Sequence, residues 1–350
     1  MVKVGIAGIG FMGVTHFKAW EEVAGAKVTA ICTRSEKKLS GDWSDIQGNF
    51  GGGGGVQDLA GVARCRELRE LLADPSIDLV DLCLPTRLHP EAAVAALEQG
   101  KHVLVEKPIA LTTADADRMI AAAEANGRLL MVAQVLRFWP EWLWLKQAIE
   151  GGDYGELVGL NLRRVISMPD WSRDVADLAA NGGPLIDLHI HDVDFILYLL
   201  GKPAQVYATG RNAGDYINYV AANLAYPGGP TVSAQSGAVT MKGRMFQHQY
   251  EAYFERATVA FGEASEPAGI DPALKQGGSQ VLTVYAPDGT ASFPKPPSEP
   301  AFNAQLGHAA RCVERGEPSP IIGAQSARDA LAVVELEAQS VLSGRVVDVP

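Results

Sequence analysis

The fold of this 350-residue chain is decided near its start, by the sequence VKVGIAGIGFMG at residues 2–13. An apolar run rich in Val and Ile predicts a buried strand, and a Gly-x-Gly-x-x-Gly spacing follows it directly and opens a helix. In that setting Gly8 permits a tight turn, Gly10 lets the backbone approach a pyrophosphate, and Gly13 allows the helix to pack closely. The N–H groups and positive dipole end of the helix would hold the phosphates. The candidate cofactor contacts in this turn are Gly8, Gly10, Phe11, Met12 and Gly13. A glycine-rich turn without a ligand is the alternative.

The first third of the chain alternates strand and helix patterns. Further short apolar runs follow the first one at Lys27–Cys32, Leu79–Leu84, Val103–Val105 and Arg128–Val135. Helical patterns separate most of them, and Gly100 and Gly127 stand where two of the helices should end. This alternation predicts a doubly wound parallel sheet with helices on both faces, which is a Rossmann-type α/β domain. We place this domain at residues 1–136.

One stretch interrupts the alternation. Residues 40–61 include five consecutive glycines, Gly51 to Gly55. The high conformational entropy of such a run predicts a mobile surface insertion. A flap that becomes ordered over cofactor or substrate is the alternative.

The second half, residues 137–350, has a different sequence pattern. Strand-like segments separated by turn signals such as Tyr226-Pro-Gly-Gly predict an open, mainly antiparallel sheet. The tail returns to helical patterns at Ala301–Arg315 and Ala324–Ser343. We therefore expect a second α/β domain for substrate binding and oligomerisation.

Composition excludes several classes of protein. The net charge of -11 disfavours binding to nucleic acid or to anionic lipid surfaces. The four cysteines match no metal or redox spacing, and no apolar run is long enough to span a membrane. No signal peptide is evident, so we expect a cytoplasmic protein with free thiols.

The end of the second strand bears on cofactor choice. An acidic residue at this point favours NAD, whereas an arginine accommodates the 2′-phosphate of NADP. The chain has Cys32-Thr33-Arg34-Ser35, without an acid, which favours NADP slightly. Arg34 stacked on adenine or pointing into solvent is the alternative.

Two further segments carry candidate chemistry. Glu106-Lys107-Pro108 follows the fourth strand, at the edge where ligands bind to such sheets, and Glu106 and Lys107 are candidate cofactor contacts. Lys107 as a solvated lysine is the alternative. Asp187 and His191 are four residues apart, so on a helix they share a face and form an acid/base pair. Lys107 and His191 would then take the proton when an alcohol carbon loses a hydride to nicotinamide.

Metal binding by the same segment is a second interpretation. His189 and His191 would point apart on a helix, and no distant Cys or His partner is evident, so we expect no metal. A purely structural role of these histidines also stays open.

With GIGFMG, EKP and GGPLIDLHIHDVD in this order, the chain resembles the glucose–fructose oxidoreductase, inositol dehydrogenase and MocA (Gfo/Idh/MocA) family over nearly its whole length. Pro85, Thr86 and His89 resemble the family's nicotinamide-side turn, and Arg137 to Pro140 resemble its RFxP segment at the domain junction. His189 stands where members often have glycine, which bears on the identity of the substrate.

The resemblance implies a Rossmann domain, an α/β domain with a large open sheet, and a sugar, polyol or related substrate between them. It implies that Lys107 hydrogen-bonds the reacting hydroxyl, that His191 shuttles its proton, and that Asp187 holds substrate hydroxyls and the imidazole. Arg137, Trp139 and His189 become candidate substrate contacts. It also implies a homodimer or homotetramer formed through the open sheet, which would otherwise expose an apolar face. A glycoside-cleaving enzyme with tightly bound NAD and a catalytically silent cofactor-binding sensor are the alternatives.

Overall fold

The computed structural model of the chain describes residues 1–47, 53–167, 181–241, 246–262 and 281–350. These residues form two compact units. The first holds Met1–Phe138 with Glu299–Leu331, and the second holds Trp139–Pro169, Gly182–Ser298 and Ala332–Pro350. Residues 299–331 pack in the first unit, and the predicted domain boundaries stay a prediction. The assignment of functions to domains stays a prediction.

The first unit is built on a six-stranded sheet in the order β3-β2-β1-β4-β5-β6, with every neighbouring pair parallel. Its strands are β1 Val2–Ala7, β2 Ala26–Cys32, β3 Ala63–Cys65, β4 Leu79–Leu82, β5 His102–Glu106 and β6 Leu130–Ala133. Strands β4 and β6 are buried at every residue, as expected for a parallel sheet covered on both faces. The predicted Rossmann-type sheet is confirmed.

The helices largely follow the predicted patterns. They are α1 Phe11–Glu21, α2 Glu36–Leu39, α3 Leu68–Leu72, α4 His89–Glu98, α5 Thr113–Asn126, α6 Pro140–Gly151, α7 Ile190–Leu200, α8 Ala301–Arg315 and α9 Ala324–Ser343. Helix α5 matches its prediction because both ends are capped. The Thr112 side chain accepts the N–H of Asp115, and Gly127 adopts the left-handed conformation that ends the helix.

The second unit contains a nine-stranded sheet in the order β14-β13-β12-β11-β7-β10-β9-β8-β15. Its strands are β7 Leu157–Ser167, β8 Gln205–Ala213, β9 Tyr216–Ala225, β10 Thr231–Thr240, β11 Gln247–Phe254, β12 Ala257–Phe261, β13 Leu282–Tyr285, β14 Ala291–Ser292 and β15 Val347–Asp348. Strands β7 and β10 pair in parallel, and the other neighbouring strands are antiparallel. The predicted mainly antiparallel sheet is confirmed.

One row across this sheet is polar. Tyr207, Asn223, Ser233, Asn161 and Glu251 follow one another on five paired strands. The Ser233 hydroxyl donates to the Asn161 side chain at 2.6 Å. Association through this sheet was expected because its open face would be apolar. This row of the sheet is polar instead. The oligomeric state stays a prediction.

The flanks of the glycine-rich stretch are packed, which corrects the prediction of a mobile insertion for the part that is described. Trp43 is fully buried and meets the Phe17 ring edge to face at 4.9 Å. Its indole N–H donates to the Lys38 carbonyl, and its backbone N–H donates to the Gly55 carbonyl, both at 2.8 Å. Residues 48–52, which include Gly51 and Gly52, lie outside the described residues, and there the insertion stays a prediction.

Within the described ranges, no helix combines the length and the hydropathy needed to cross a bilayer.

Candidate active site

The glycine turn between β1 and α1 has the geometry of an anion cradle. Gly8 has a φ of 96°, and a Cβ on Gly13 would lie 1.9 Å from the Gly8 carbonyl oxygen, so neither position accepts a side chain. A Cβ on Gly10 would meet nothing within 4 Å. The space in front of Gly10 is therefore open to a ligand.

The start of α1 is left without a side-chain cap. Gly10 is the N-cap residue, and the first turn contains no acidic side chain. A helix N-terminus of this kind presents N–H groups and a positive dipole end to whatever lies in front of it. The residues present thus fit the pyrophosphate of a dinucleotide.

The turn after β2 also faces this edge of the sheet. Arg34 is exposed, and the Thr33 backbone N–H donates to the Cys65 carbonyl of β3 at 3.0 Å. Ser35 caps the short helix α2. The nearest acid, Glu36, forms an ion pair with Arg66. No acidic residue therefore stands in the turn itself, as the sequence indicated.

The turn after β4 holds the next predicted cofactor contacts. Pro85 is half-buried, and Thr86 begins a 3₁₀ turn with only 6% of its surface exposed. His89 is 1% exposed and lies between two backbone carbonyls, with Nδ1 2.9 Å from Pro108 O and Nε2 2.8 Å from Leu84 O. The ring of His89 is thus engaged with protein atoms, and a cofactor contact by it stays a prediction.

Lys107 follows β5 at the carboxyl edge of the sheet. Glu106 and Pro108 are buried, whereas Lys107 is partly exposed. The Glu106 carboxylate accepts the backbone N–H of Lys107 at 3.1 Å. Glu106 itself contacts a histidine that the sequence did not single out, since His16 Nε2 lies 3.0 Å from its Oε1.

His16 belongs to a buried polar cluster beneath this edge. Its Nδ1 lies 2.9 Å from Asp81 Oδ2, which also accepts the Trp20 indole N–H at 2.8 Å. Burial alone would lower the pKa of His16, but the Asp81 charge and hydrogen bonds outweigh it and raise that pKa well above its usual range. Asp81, one of the two carboxylates beside the ring, thus favours the protonated form of His16.

Among the residues that the structure describes, His16, Asp81 and Cys83 form the one group whose possible metal-ligand atoms lie together. Hydrogen bonds account for the contacts within it, including Cys83 Sγ to His16 Nδ1 at 3.4 Å. Burial raises the pKa of the Cys83 thiol to about 12, so the sulfur keeps its proton at neutral pH.

In the second unit, the segment before α7 is a π-helical turn, Leu185–His189, and not the regular helix assumed from the sequence. Asp187 and His191 are both partly exposed, while the three residues between them are buried. The two predicted acid/base residues therefore share the partly exposed side of this segment. π-Turns of this kind often occur at functional sites.

His189 is fully buried within a charged network. Its Nδ1 lies 2.8 Å from the Ser236 hydroxyl, and its Nε2 lies 3.1 Å from Glu337 Oε2. Burial opposes protonation, but the Glu337 charge outweighs it and raises the pKa of His189. The Ser236 hydroxyl donates to Asp192, which is paired with Arg164. These buried contacts hold the segment in place. A substrate contact by His189 stays a prediction.

The junction residues have separate surroundings. Arg137 is 3% exposed, and its guanidinium donates to the Ile321 carbonyl and to the Ser326 hydroxyl. Trp139 is half-buried, and its ring lies 5.7 Å from the His248 ring. The structure thus gives Arg137 a role in holding residues 321–326, and its predicted substrate contact stays a prediction.

Comparison with known proteins agrees with this architecture. Residues 2–134 match the family model described as "Oxidoreductase family, NAD-binding Rossmann fold", and residues 142–260 match the model of the GFO/IDH/MocA C-terminal domain. The chain belongs to the Gfo/Idh/MocA oxidoreductase family. The resemblance stated from the three motifs is confirmed.

Two named relatives give the range of similarity. The chain is 28% identical to myo-inositol 2-dehydrogenase of Thermotoga maritima over 211 residues, which are 60% of this chain and 58% of that protein. It is 28% identical to scyllo-inositol 2-dehydrogenase (NADP(+)) of Bacillus subtilis over 294 residues, 81% of this chain and 76% of that protein. The first match thus spans less than two thirds of the relative.

Solved structures show the same fold. Aldose-aldose oxidoreductase from Caulobacter crescentus superposes with a TM-score of 0.80 at 23% identity, covering 99% of each chain. Levoglucosan dehydrogenase in complex with NADH also gives a TM-score of 0.80, at 20% identity and with 100% of this chain and 99% of that one covered.

Proposed function

We propose that this protein is an NAD(P)-dependent oxidoreductase that moves a hydride between nicotinamide and a hydroxyl or carbonyl carbon of a sugar, a polyol or a related small molecule. The cradle at Gly8, Gly10 and Gly13, with Lys107 at the same edge of the parallel sheet, carries the proposal. Family membership supports it, and so do the names of the relatives, which are dehydrogenases of inositols and of levoglucosan.

The proposed roles follow from the chemistry of the residues. The nicotinamide, when bound, supplies or accepts the hydride. The Lys107 ammonium holds the reacting oxygen by a hydrogen bond, and the His191 imidazole takes or returns its proton. The Asp187 carboxylate orients the imidazole and accepts hydrogen bonds from substrate hydroxyls.

The proposed cofactor is NADP in preference to NAD. Thr33 and Arg34 offer hydrogen-bond donors to a 2′-phosphate, and no carboxylate in that turn repels it. The relatives are mixed in this respect, since the Bacillus subtilis protein is named for NADP(+) and the levoglucosan dehydrogenase structure holds NADH.

The first experiment is a fluorescence titration of the purified protein with NADH and NADPH. Gly10→Ala is the matched variant, since its Cβ meets no protein atom but fills the space expected for the pyrophosphate. We expect at least tenfold weaker cofactor binding in Gly10→Ala with an unchanged melting temperature. If the wild type binds neither cofactor, and extraction of the denatured protein releases no nucleotide, the redox proposal is wrong.

The second experiment tests the reaction. Myo-inositol, scyllo-inositol, levoglucosan and D-glucose are offered with NAD+ and with NADP+, and formation of the reduced nicotinamide is followed by its absorbance. With the substrate that reacts fastest, we expect Lys107→Ala and His191→Ala each to lower turnover about 100-fold or more, with cofactor binding nearly unchanged. Turnover near that of the wild type in either variant would remove that residue from the mechanism.

A further inference from the structure

The residues on either side of Lys107 are held by two buried histidines from different helices. Before it, the Glu106 side chain contacts His16 of α1, and after it the Pro108 carbonyl contacts His89 at the start of α4. Both histidines are at most 1% exposed. Lys107 is the partly exposed residue between two buried, anchored neighbours.

The first anchor reaches the backbone of Lys107 itself. Glu106 uses one carboxylate oxygen to contact His16 at 3.0 Å and the other to accept the Lys107 N–H at 3.1 Å. The opposite nitrogen of His16 is fixed by Asp81 at 2.9 Å, and Trp20 holds the same carboxylate at 2.8 Å. A continuous chain of short polar contacts therefore runs from the core of the first unit to the lysine.

The charges around this anchor suit a protonated ring. Two buried carboxylates, Asp81 and Glu106, lie 2.9 and 3.0 Å from the two nitrogens of His16; Nδ1 is hydrogen-bonded to Asp81, whereas the Nε2 contact with Glu106 is an ion pair without hydrogen-bond geometry. A neutral side chain in place of His16 would leave these buried carboxylates without a counter-charge, which is costly. Glu106 would then shift, and with it the acceptor of the Lys107 N–H.

The second anchor joins two loops. The His89 ring lies between Pro108 O at 2.9 Å and Leu84 O at 2.8 Å. Leu84 precedes Pro85 and Thr86, which are proposed to contact the cofactor. His89 therefore fixes the segment after Lys107 relative to the turn after β4.

We propose that His16 and His89 are positioning residues for Lys107, which fix its backbone from both sides so that its side chain starts from one defined place. The proposal rests on the catalytic role of Lys107 given under the proposed function. A displacement of about 1 Å of a catalytic group is enough to lower turnover about 100-fold, so loss of either anchor should affect chemistry more than binding.

The test compares His16→Asn and His89→Asn with His102→Asn. His102 is a matched control because it lies at the opposite end of β5 from Glu106, where its Nδ1 accepts the Leu129 N–H at 3.0 Å. Where an asparagine variant does not fold, the corresponding glutamine variant is used in its place.

The first readout needs no substrate. Backbone hydrogen exchange of Lys107, measured by mass spectrometry with single-residue resolution, is compared with that of Val105 on the same strand. We expect His16→Asn to accelerate exchange at Lys107 at least tenfold relative to Val105, and His102→Asn to leave that ratio unchanged. Equal ratios in the two variants would overturn the role of His16.

The second readout is kinetic and uses the sugar and cofactor that react fastest in the screen. We expect His16→Asn and His89→Asn to lower kcat about tenfold to 100-fold with KM within threefold of the wild type, and His16→Asn to leave the NAD(P)H dissociation constant within threefold as well. Combined with Lys107→Ala, either substitution should cause no further loss, because it acts through the lysine. Independent, multiplying losses would overturn the proposal.

Different results would contradict the catalytic role of Lys107 and the positioning role of His16 and His89. If Lys107→Ala keeps nearly full activity, the proposed function of that lysine is wrong. If Lys107→Ala is impaired but the two histidine variants behave like His102→Asn, the positioning role alone is wrong.

Discussion

Replacing Asp192 by asparagine should lower the free energy of unfolding by about 3–5 kcal/mol, because it leaves a buried arginine without its counter-charge. Arg164 donates to the Asp192 carboxylate through Nη2 at 2.9 Å and through Nε at 3.1 Å. The two side chains are only 4% and 0% exposed. The guanidinium also lies 5.7 Å from the centre of the Trp142 ring.

The chain supplies its own control for burial. Arg328 pairs with Asp117 in the same two-pronged way, through contacts of 2.7 and 3.0 Å, but these side chains are 27% and 53% exposed. Water can solvate either group when its partner is lost, so Asp117→Asn should cost at most about 1 kcal/mol. The two arginine–aspartate pairs thus have nearly the same hydrogen-bond geometry and differ mainly in how deeply the side chains are buried.

The assay is urea unfolding at fixed pH, followed by circular dichroism and by tryptophan fluorescence. Adding Arg164→Met to Asp192→Asn should recover part of the lost stability, since the uncompensated charge is then removed as well. A loss below about 1 kcal/mol for Asp192→Asn, or a loss equal to that of Asp117→Asn, would refute the claim that burial sets the magnitude.

Three further predictions concern single side chains. Gly13→Ala should abolish NADPH binding and lower the melting temperature, because its Cβ would lie 1.9 Å from the Gly8 carbonyl oxygen; calorimetry and a fluorescence titration check both effects. Arg34→Ala should weaken NADPH binding more than NADH binding, and equal losses in parallel titrations would indicate adenine stacking instead. Burial, assisted by the Arg164 charge, lowers the pKa of His248 to about 3 in the folded protein. As the pH falls, His248 is therefore protonated in the unfolded chain before it is protonated in the folded protein. Stability should therefore fall by roughly 2 kcal/mol between pH 7.5 and pH 5 through this residue, and His248→Asn should lose that part of the pH dependence in urea titrations at the two pH values.

Local sequence signals predicted the elements that local physics determines. The strand before Gly8 and the glycine spacing gave the first turn of the Rossmann sheet. Helix α8 ends where predicted because Gly316 adopts a φ of 66°. In contrast, strand β11 was missed, since the sequence QHQYEAYF mixes polar and aromatic residues without a clear alternating pattern.

The polar clusters behind the candidate site residues could not be predicted for a different reason. His16 and Asp81 are 65 residues apart in the chain, and His189 and Ser236 are 47 apart. No periodic pattern connects such pairs, and a buried histidine looks the same in sequence as an exposed one. The packing of the residues that flank the glycine run was not predicted, because the glycines dominate the composition of that segment.

Helix α1 links the glycine turn to the segment that contains Lys107. Gly10 at its N-terminus faces the expected phosphates, and His16 on the same helix holds Glu106 beside Lys107. Six residues of α-helix span about 9 Å, and a helix barely stretches. Helix α1 therefore fixes the distance between the glycine turn and the backbone of Lys107. The position of the bound cofactor and the position of the lysine amine thus depend on the same helix.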